Sequence, residues 1–184
     1  MIPALILAAG SGRRMGGPKA RLVLDGETLL QRTARIAQAA GCTPVIAVVG
    51  DWDPGALDPS VRVVRNPEAT EGMASSIRRG IAALPGSAPA VLLLVIDQPA
   101  VEVSLLRRLL QLHIAQKEAV PVACAYGDSL GIPAILPARF FPELLTLEGD
   151  RGAKPILLRE NALTIPFPEG AWDLDTPEDL RFTR

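Results

Sequence analysis

The chain has 184 residues and a formal net charge of −1, and 48% of its residues are hydrophobic. This length predicts a single domain over residues 1–184 with a sizeable core, and the composition excludes a disordered chain. The nearly balanced charge gives no electrostatic basis for a nucleic-acid or anionic-membrane partner.

The localisation expected from the sequence is cytoplasmic. The longest apolar run, Ala88–Ile96, is strand-sized and contains Pro89, and no basic segment of a signal peptide opens the chain. Cys42 and Cys124 match no metal spacing, so we expect two buried free thiols in a reducing compartment. His113 is the only histidine and falls in a predicted helix, which argues against a serine–histidine–aspartate or multi-histidine mechanism.

The first predicted element is a buried strand that ends at a glycine-rich loop. An apolar run over residues 4–9 is closed by Gly10. The loop then carries four glycines and three cations: Gly10, Gly12, Gly16, Gly17, Arg13, Arg14 and Lys19. Glycine backbone and cations suit a phosphate site, but the spacing matches neither G-x-x-x-x-G-K-[ST] nor G-x-G-x-x-G. From the loop alone, a phosphate site and a structural turn remain equal alternatives.

Strand-length and helix-length segments then alternate along the chain. A short apolar piece at 22–24 and the turn Asp25-Gly26 precede a helix that begins at Thr28 and ends at Gly41. Further strands are predicted at 44–49, 61–64, 90–96, 119–124, 132–136 and 162–165. Further helices are predicted at 73–84, 102–117, 140–147, 154–160 and 173–184. This alternation indicates an α/β fold with a largely parallel sheet, in which the most apolar strand, 90–96, is central.

Polar residues follow the predicted strands, and ligands bind beyond the carboxyl ends of parallel strands. These positions are Gly50-Asp51, Asn66-Pro67, the segment 71–76, Asp97-Gln98-Pro99 and the loop around Gly131. We expect them to converge on one edge of the sheet.

Two carboxylate positions are candidates for holding a divalent cation, which proteins bind through one or two carboxylates plus substrate phosphates. Asp97 directly follows six aliphatic residues, and a turn or cap role is the alternative for it. Asp173 and Asp175 lie on one side of an extended segment, and Asp175 is equally well placed as a helix N-cap.

Six segments together resemble the molybdenum cofactor nucleotidyltransferases, the MobA/MocA-like branch of the glycosyltransferase-A-type nucleotidyltransferases. They are L-A-A-G-S-G-R-R-M-G-G-P-K, N-P-E-A-T-E-G-M-A-S-S-I-R-R-G, L-V-I-D-Q-P, G-I-P-A-I-L, L-E-G-D-R-G-A-K and D-L-D-T-P-E-D-L. The resemblance implies a Rossmann-like three-layer α/β/α fold. It also implies Mg²⁺-dependent transfer of a nucleoside monophosphate to the phosphate of molybdopterin, with release of pyrophosphate.

The resemblance also implies roles for individual residues. Arg14, Lys19 and Asp97 would be catalytic, and Asp97 and Asp175 would hold Mg²⁺ or Mn²⁺. The nucleotide would be bound by Ala8, Ala9, Gly10, Ser11, Gly12, Arg13, Gly50, Asn66, Gly72 and Ser75. The acceptor would be bound by Gly131, Pro133, Gly149, Asp150 and Gly152. Residues from about 1 to 100 would then form the nucleotide-binding part, and residues from about 101 to 184 the acceptor-binding part.

Within that family, L-A-A-G, D-Q-P and G-D-R-G-A resemble the cytidylyltransferase branch, which makes CTP the expected substrate. Ile132 departs from the pattern, because a polar residue is common between this Gly and Pro. Guanylyl transfer, or another phosphorylated acceptor such as a sugar phosphate, methylerythritol phosphate or phospholactate, is the alternative. A nucleotide-sugar pyrophosphorylase would need an appended domain, and a non-catalytic module would lack the carboxylates. The resemblance also allows a molybdoenzyme or its maturation factor as a protein partner.

Overall fold

The computed structural model describes residues 1–10, 12, 17–117, 119–172 and 174. The strands are β1 (Ala4–Ala8), β2 (Val23–Leu24), β3 (Glu27–Thr28), β4 (Val45–Val49), β5 (Val61–Arg65), β6 (Ala90–Val95), β7 (Val122–Tyr126), β8 (Ser129–Pro137) and β9 (Leu163–Pro166). The α-helices are α1 (Leu29–Ala40), α2 (Met73–Ala82), α3 (Val103–Ala115), α4 (Phe141–Leu144) and α5 (Lys154–Arg159). Short 3-10 helices span Lys19–Arg21, Ala69–Glu71, Ala138–Phe140 and Pro168–Ala171.

Seven of these strands form one sheet in the order β5-β4-β1-β6-β8-β7-β9. β8 is antiparallel to both of its neighbours, while the pairs on either side of it are parallel. The other six strands therefore run in one direction, and β2 and β3 form a separate hairpin. This mostly parallel sheet confirms the predicted α/β fold.

Helices cover both faces of the sheet and divide the core into two halves. In β1, Ile6 and Ala8 face one half, which contains buried residues of α1 and α3. Leu5 and Leu7 face the other half, which contains residues of α2, α4 and α5. Successive strand residues point to opposite faces, so a strand buried on both sides reads as a continuous apolar run. The three-layer arrangement predicted from the resemblance is confirmed.

Local signals set the ends of α1 as the sequence predicted. The Thr28 hydroxyl accepts a hydrogen bond from the Gln31 amide at 3.1 Å, and the Gln31 side chain accepts one from the Thr28 amide at 2.8 Å. This is a capping box. Gly41 ends the helix with φ 99°, in the left-handed region that glycine enters without penalty. Asp25 and Gly26, at φ 51° and 85°, form the preceding hairpin turn.

The structure departs from the expected bounds mainly after residue 119. β7 begins at Val122, and the segment expected to be a helix over 140–147 contains only a 3-10 turn and the short α4. β8 begins at Ser129 rather than 132. A bulge in its pairing with β7 interrupts the apolar run from which the strand was predicted. Cys124 pairs with Gly131 and Ala123 with Ala134, which leaves residues 132 and 133 as a bulge at the Ile132–Pro133 cis bond. The helix expected over 173–184 lies outside the described residues.

The two cysteines are core residues, as expected, and His113, for which the sequence predicted only a place in a helix, is a core residue too. His113 is fully buried in α3. Both thiols are buried and free, and burial raises the pKa of each to about 12. Each helix in the described part of the chain is too short or too polar to span a lipid bilayer.

Candidate active site at the carboxyl edge of the sheet

The candidate site lies where four adjacent parallel strands end. β5, β4, β1 and β6 are neighbours in the sheet, so the residues after them meet at one edge. Within two residues of the strand ends stand Asn66, Gly50, Ala9 and Asp97. The approach is close: a Cβ atom at Gly50 would lie 2.8 Å from the carbonyl oxygen of Ala9. The structure therefore brings these predicted site residues together.

Gly12 and Gly17, two described residues of the glycine loop after β1, approach each other closely. Gly17 donates a backbone hydrogen bond to the carbonyl oxygen of Gly12 at 3.3 Å. Gly12 has φ +56°, and a Cβ atom there would overlap the Gly17 carbonyl oxygen. Only glycine fits this close backbone approach. Lys19, two residues after Gly17, lies at the sheet edge beside Asp97. The predicted residues Ser11, Arg13 and Arg14 lie outside the described residues.

Lys19 and Asp97 form an ion pair at this edge, across 78 residues of sequence. The Lys19 ammonium lies 3.4 Å from Oδ2 of Asp97, and the two side chains are 21% and 27% exposed. A cation and a carboxylate that are partly exposed can both still reach a ligand from solvent. The pair therefore combines a donor for phosphate oxygens with an anionic oxygen for a cation.

The backbone of Asp97 is held by the C-terminal part of the chain. Leu174, which is 2% exposed, donates its amide to the Asp97 carbonyl oxygen at 2.9 Å. Leu174 is the central residue of the D-L-D segment. The structure thus places Leu174, the described residue of the D-L-D segment, next to Asp97, the other candidate metal ligand. Asp173 and Asp175 themselves lie outside the described residues.

Asp97 suits a divalent metal of the Mg²⁺ type, although the described residues supply only part of a ligand set. No group of three or more His, Cys, Asp or Glu side chains that could hold a metal occurs among them. Mg²⁺ does not need such a cage, because it keeps waters and is bound by one or two carboxylates plus substrate phosphates. A hard carboxylate oxygen beside a loop rich in glycine fits this mode of binding.

Asn66 organises the neighbouring part of the edge. Its amide donates to the hydroxyls of Ser75 and Ser76 at 2.9 and 3.0 Å, and its oxygen accepts from the Glu68 amide at 3.0 Å. Asn66 is 1% exposed, and Ser75 is fully buried and donates to the Gly72 carbonyl oxygen. These side chains hold the loop after β5 on the first turn of α2, so they shape the edge through backbone position. The sequence predicted Ser75 but not Ser76 as a residue of the site. Two adjacent serines at the start of a predicted helix were the sequence feature that could have indicated it.

The predicted acceptor segment packs against the predicted nucleotide segment. The Gly149 carbonyl oxygen accepts the amide of Ala74 at 3.0 Å, at the start of α2. Gly72 has φ +122°, and a Cβ atom there would lie 2.5 Å from Oδ1 of Asp150. The loop from 149 to 152 therefore contacts Gly72 and the first turn of α2 directly.

Arg78 on α2 binds the backbone just before the 149–152 loop. Its guanidinium donates to the Leu147 carbonyl oxygen at 2.5 Å and to both Glu71 oxygens at 2.6 and 2.9 Å. The hydrogen bond from Arg78 lowers the pKa of Glu71. Met73 completes the contact, since a Cβ atom at Gly152 would lie 3.2 Å from its sulfur atom.

Gly131 and Pro133 lie at the bulged start of β8, next to Tyr126. A Cβ atom at Gly131 would overlap the Tyr126 hydroxyl oxygen, and one at Gly170 would lie 2.9 Å from the Tyr126 ring. Tyr126 thus lies between two glycines at the carboxyl end of β7. The sequence interpretation gave Tyr126 no role, and a single aromatic residue at a strand end was its only signal.

Comparison with known proteins identifies the family. The model of the MobA-like NTP transferase domain matches residues 4–163. The chain is 31% identical over 194 residues to nicotine blue oxidoreductase of Paenarthrobacter nicotinovorans, which covers 97% of this chain and 91% of that protein. It is 30% identical over 186 residues to a molybdenum cofactor guanylyltransferase of Rhodobacter capsulatus, with 97% and 93% covered.

A solved structure has the same fold over nearly the whole chain. Rv0371c from Mycobacterium tuberculosis H37Rv superposes with a TM-score of 0.77 at 29% identity, covering 99% of this chain and 97% of that chain. A second structure of Rv0371c is a complex with manganese, with a TM-score of 0.73, 27% identity and the same coverage.

Proposed function

The chain belongs to the MobA-like NTP transferase domain family, and on this premise we propose that it is a divalent-metal-dependent nucleotidyltransferase acting on a molybdopterin-type cofactor. The proposed reaction moves CMP from CTP to the acceptor phosphate. The observation that carries the proposal is the Lys19–Asp97 pair at the carboxyl edge of the sheet, 3.4 Å apart. The pair brings together a cation for the leaving phosphates and a carboxylate for the metal.

In this reaction, an oxygen of the acceptor phosphate attacks the α-phosphorus of the triphosphate. The bond from the α-phosphorus to the bridging oxygen breaks, and pyrophosphate leaves with that electron pair. Lys19 and Arg14 donate to the phosphate oxygens, where negative charge accumulates in the transition state. The glycine loop supplies backbone amides to the same phosphates.

Asp97 and Asp175 would hold Mg²⁺ or Mn²⁺. When bound, such an ion offsets the repulsion between the two phosphates and aligns the leaving group. The manganese complex of Rv0371c supports a divalent metal on this fold. For this chain, the support is the carboxylate of Asp97 and the bond from Leu174 that joins it to the D-L-D segment.

The acceptor would bind over Gly131, Pro133 and the loop with Gly149, Asp150 and Gly152. Its support is the packing of that loop against Gly72 and α2, since both substrates would then share one cleft. The sheet would divide into a nucleotide part, residues up to about 100, and an acceptor part beyond it. A cytoplasmic location, and a molybdoenzyme or its maturation factor as receiver of the product, belong to the same proposal.

CTP and GTP are both candidates for the donor. The L-A-A-G and D-Q-P segments support CTP, with Ala8, Ala9 and Gly50 presenting backbone to the base. The guanylyltransferase of Rhodobacter capsulatus, similar over 97% of this chain, supports GTP. The similarity to nicotine blue oxidoreductase adds a second class of reaction, an oxidation or reduction.

The test is release of pyrophosphate from each of the four triphosphates, with and without molybdopterin, in wild type and Asp97→Asn. We expect molybdopterin-dependent release that is most efficient with CTP. Asp97→Asn should lower it by orders of magnitude and recover partly at high Mn²⁺, because the amide keeps the shape but loses the charge. Asp175→Asn should follow with a smaller loss, and Asp173→Asn is the matched control.

Three results would change the proposal. Efficiency with GTP equal to or above that with CTP assigns guanylyl transfer. If pyrophosphate release requires a different phosphorylated acceptor, that compound replaces molybdopterin as the proposed substrate. Consumption of a reduced nicotinamide or flavin, without any pyrophosphate, replaces nucleotidyl transfer with redox chemistry.

A further inference from the structure

Gln98 makes one long-range hydrogen bond from a buried position. It is 8% exposed, and its side-chain amide donates to the carbonyl oxygen of Gly170, 72 residues later, at 3.1 Å. Its Oε1 is also buried and accepts no hydrogen bond from the described residues. A buried polar side chain with only half of its amide paired is a poor choice for stability alone. Core stability alone therefore does not explain a glutamine at this position.

That bond lies beside the hydrogen bond that joins the two candidate metal segments. Gln98 directly follows Asp97, and Gly170 lies in the 3-10 turn Pro168–Ala171, four residues before Leu174. The Leu174 amide bonds to the Asp97 carbonyl oxygen at 2.9 Å. Two hydrogen bonds thus join residues 97–98 to residues 170–174, and together they fix the register between these two segments.

The 3-10 turn also packs on aromatic rings. A Cβ atom at Gly170 would overlap the ring of Phe167 and would lie 2.9 Å from the ring of Tyr126. Gly170 is buried in the described structure. Because its backbone is packed on aromatic rings, its carbonyl oxygen is a fixed anchor for Gln98.

We propose that Gln98 is a positioning residue for the divalent cation, acting through its bond to the Gly170 carbonyl oxygen. It holds the backbone at Leu174 in register with Asp97, and the proposed metal site depends on this register. The inference rests on the proposed function, because it assumes that these two segments bind the metal. Residues that orient ligands in this way typically change metal affinity about 10- to 100-fold when they are replaced.

The experiment compares Gln98→Met with wild type by Mn²⁺ binding, followed through the electron paramagnetic resonance signal of free Mn²⁺. Methionine is similar in length but has neither the donor nor the unpaired oxygen. We expect the Kd for Mn²⁺ to rise about 10- to 100-fold. The melting temperature without metal should change little, because removal of the buried unpaired oxygen offsets the loss of the donor to the Gly170 carbonyl oxygen.

Arg107→Met is the matched control. Arg107 donates from α3 to the Ala39 carbonyl oxygen at 2.7 Å, so it also joins distant segments through a side chain and a backbone oxygen. It lies away from the metal segments, and its loss should leave Mn²⁺ binding unchanged. Gln98→Leu provides a second apolar replacement, with the same expected result, if Gln98→Met does not fold.

The outcomes separate this inference from the proposed function. Mn²⁺ affinity within about twofold of wild type in a folded Gln98 variant overturns the positioning role. Loss of metal-free stability together with affinity, or failure of both variants to fold, assigns Gln98 to the core and also overturns it. If wild type does not bind Mn²⁺, or if Asp97→Asn binds it normally, the metal site of the proposed function fails. If Asp97→Asn loses Mn²⁺ while Gln98→Met keeps it, only the inference on Gln98 fails.

Discussion

Replacing Lys19 by methionine should move metal binding and turnover in opposite directions. In the structure the Lys19 ammonium lies 3.4 Å from the Asp97 carboxylate, where a metal would have to bind. Methionine keeps most of the apolar side chain but removes the competing cation. The free protein should therefore bind Mn²⁺ more tightly. Turnover should fall, because the charge that develops on pyrophosphate loses a donor.

The distance and exposure set the size of both effects. Unit charges 3.4 Å apart attract by roughly 1.2 kcal/mol in bulk water and by about 5 kcal/mol at an effective dielectric constant of 20. Both side chains are more than a fifth exposed. The lower end therefore applies, since partly exposed pairs contribute up to about 1 kcal/mol. Removing that competition should strengthen Mn²⁺ binding about fivefold. Loss of the phosphate contact should lower kcat by more than about tenfold, or 1.4 kcal/mol on the barrier.

The assay pairs Mn²⁺ titration of the free protein with pyrophosphate release at saturating metal. Arg21→Met is the control, because Arg21 is an exposed cation in the same 3-10 turn and should change neither value. An unchanged kcat would remove Lys19 from the mechanism. Weaker Mn²⁺ binding in Lys19→Met would refute the competition, since Lys19 would then be supporting the metal site.

Three further predictions concern stability. Asn66→Ala removes three hydrogen bonds of a buried side chain and should lower the free energy of unfolding by about 2–4 kcal/mol in urea titration. A loss below about 0.5 kcal/mol would contradict this role. Gly72→Ala should lower the melting temperature more than Gly26→Ala. Both glycines have positive φ, but of the two only Gly72 has neighbouring atoms within 4 Å of an added Cβ. Equal losses in the two variants would show that the contact with residues 149–150 does not limit the residue at position 72. Burial raises the pKa of Cys42 and Cys124 from 9.0 to about 12, so the unfolded chain loses their protons first as pH rises. Stability should then fall by about 1.4 kcal/mol per pH unit and thiol between pH 9 and 12, and Cys42→Ala/Cys124→Ala should show a shallower fall in urea titrations across that range; equal slopes would refute it.

Patterns within about 20 residues predicted most of the secondary structure. Continuous apolar runs marked the buried strands, and Thr28 and Gly41 marked both ends of α1, because strand burial and helix caps depend on local chemistry. The pattern failed at β8, where Gly131 and Pro133 interrupt the apolar run. A bulge allows the strand to pair with β7 around that interruption, and only the pairing partner reveals it.

The candidate site divides in the same way. The sequence alone determined the α/β fold, the glycine loop and the carboxylate after β6, since each follows from residue type and its place beside a strand. The pairing of Lys19 with Asp97, the bonds from Asn66 to Ser75 and Ser76, and the bond from Gln98 to Gly170 became visible in the folded chain alone. These contacts join residues from 9 to 78 positions apart. They form because packing of the helices on the sheet brings separate loops to one edge, and no local pattern specifies which side chains then meet.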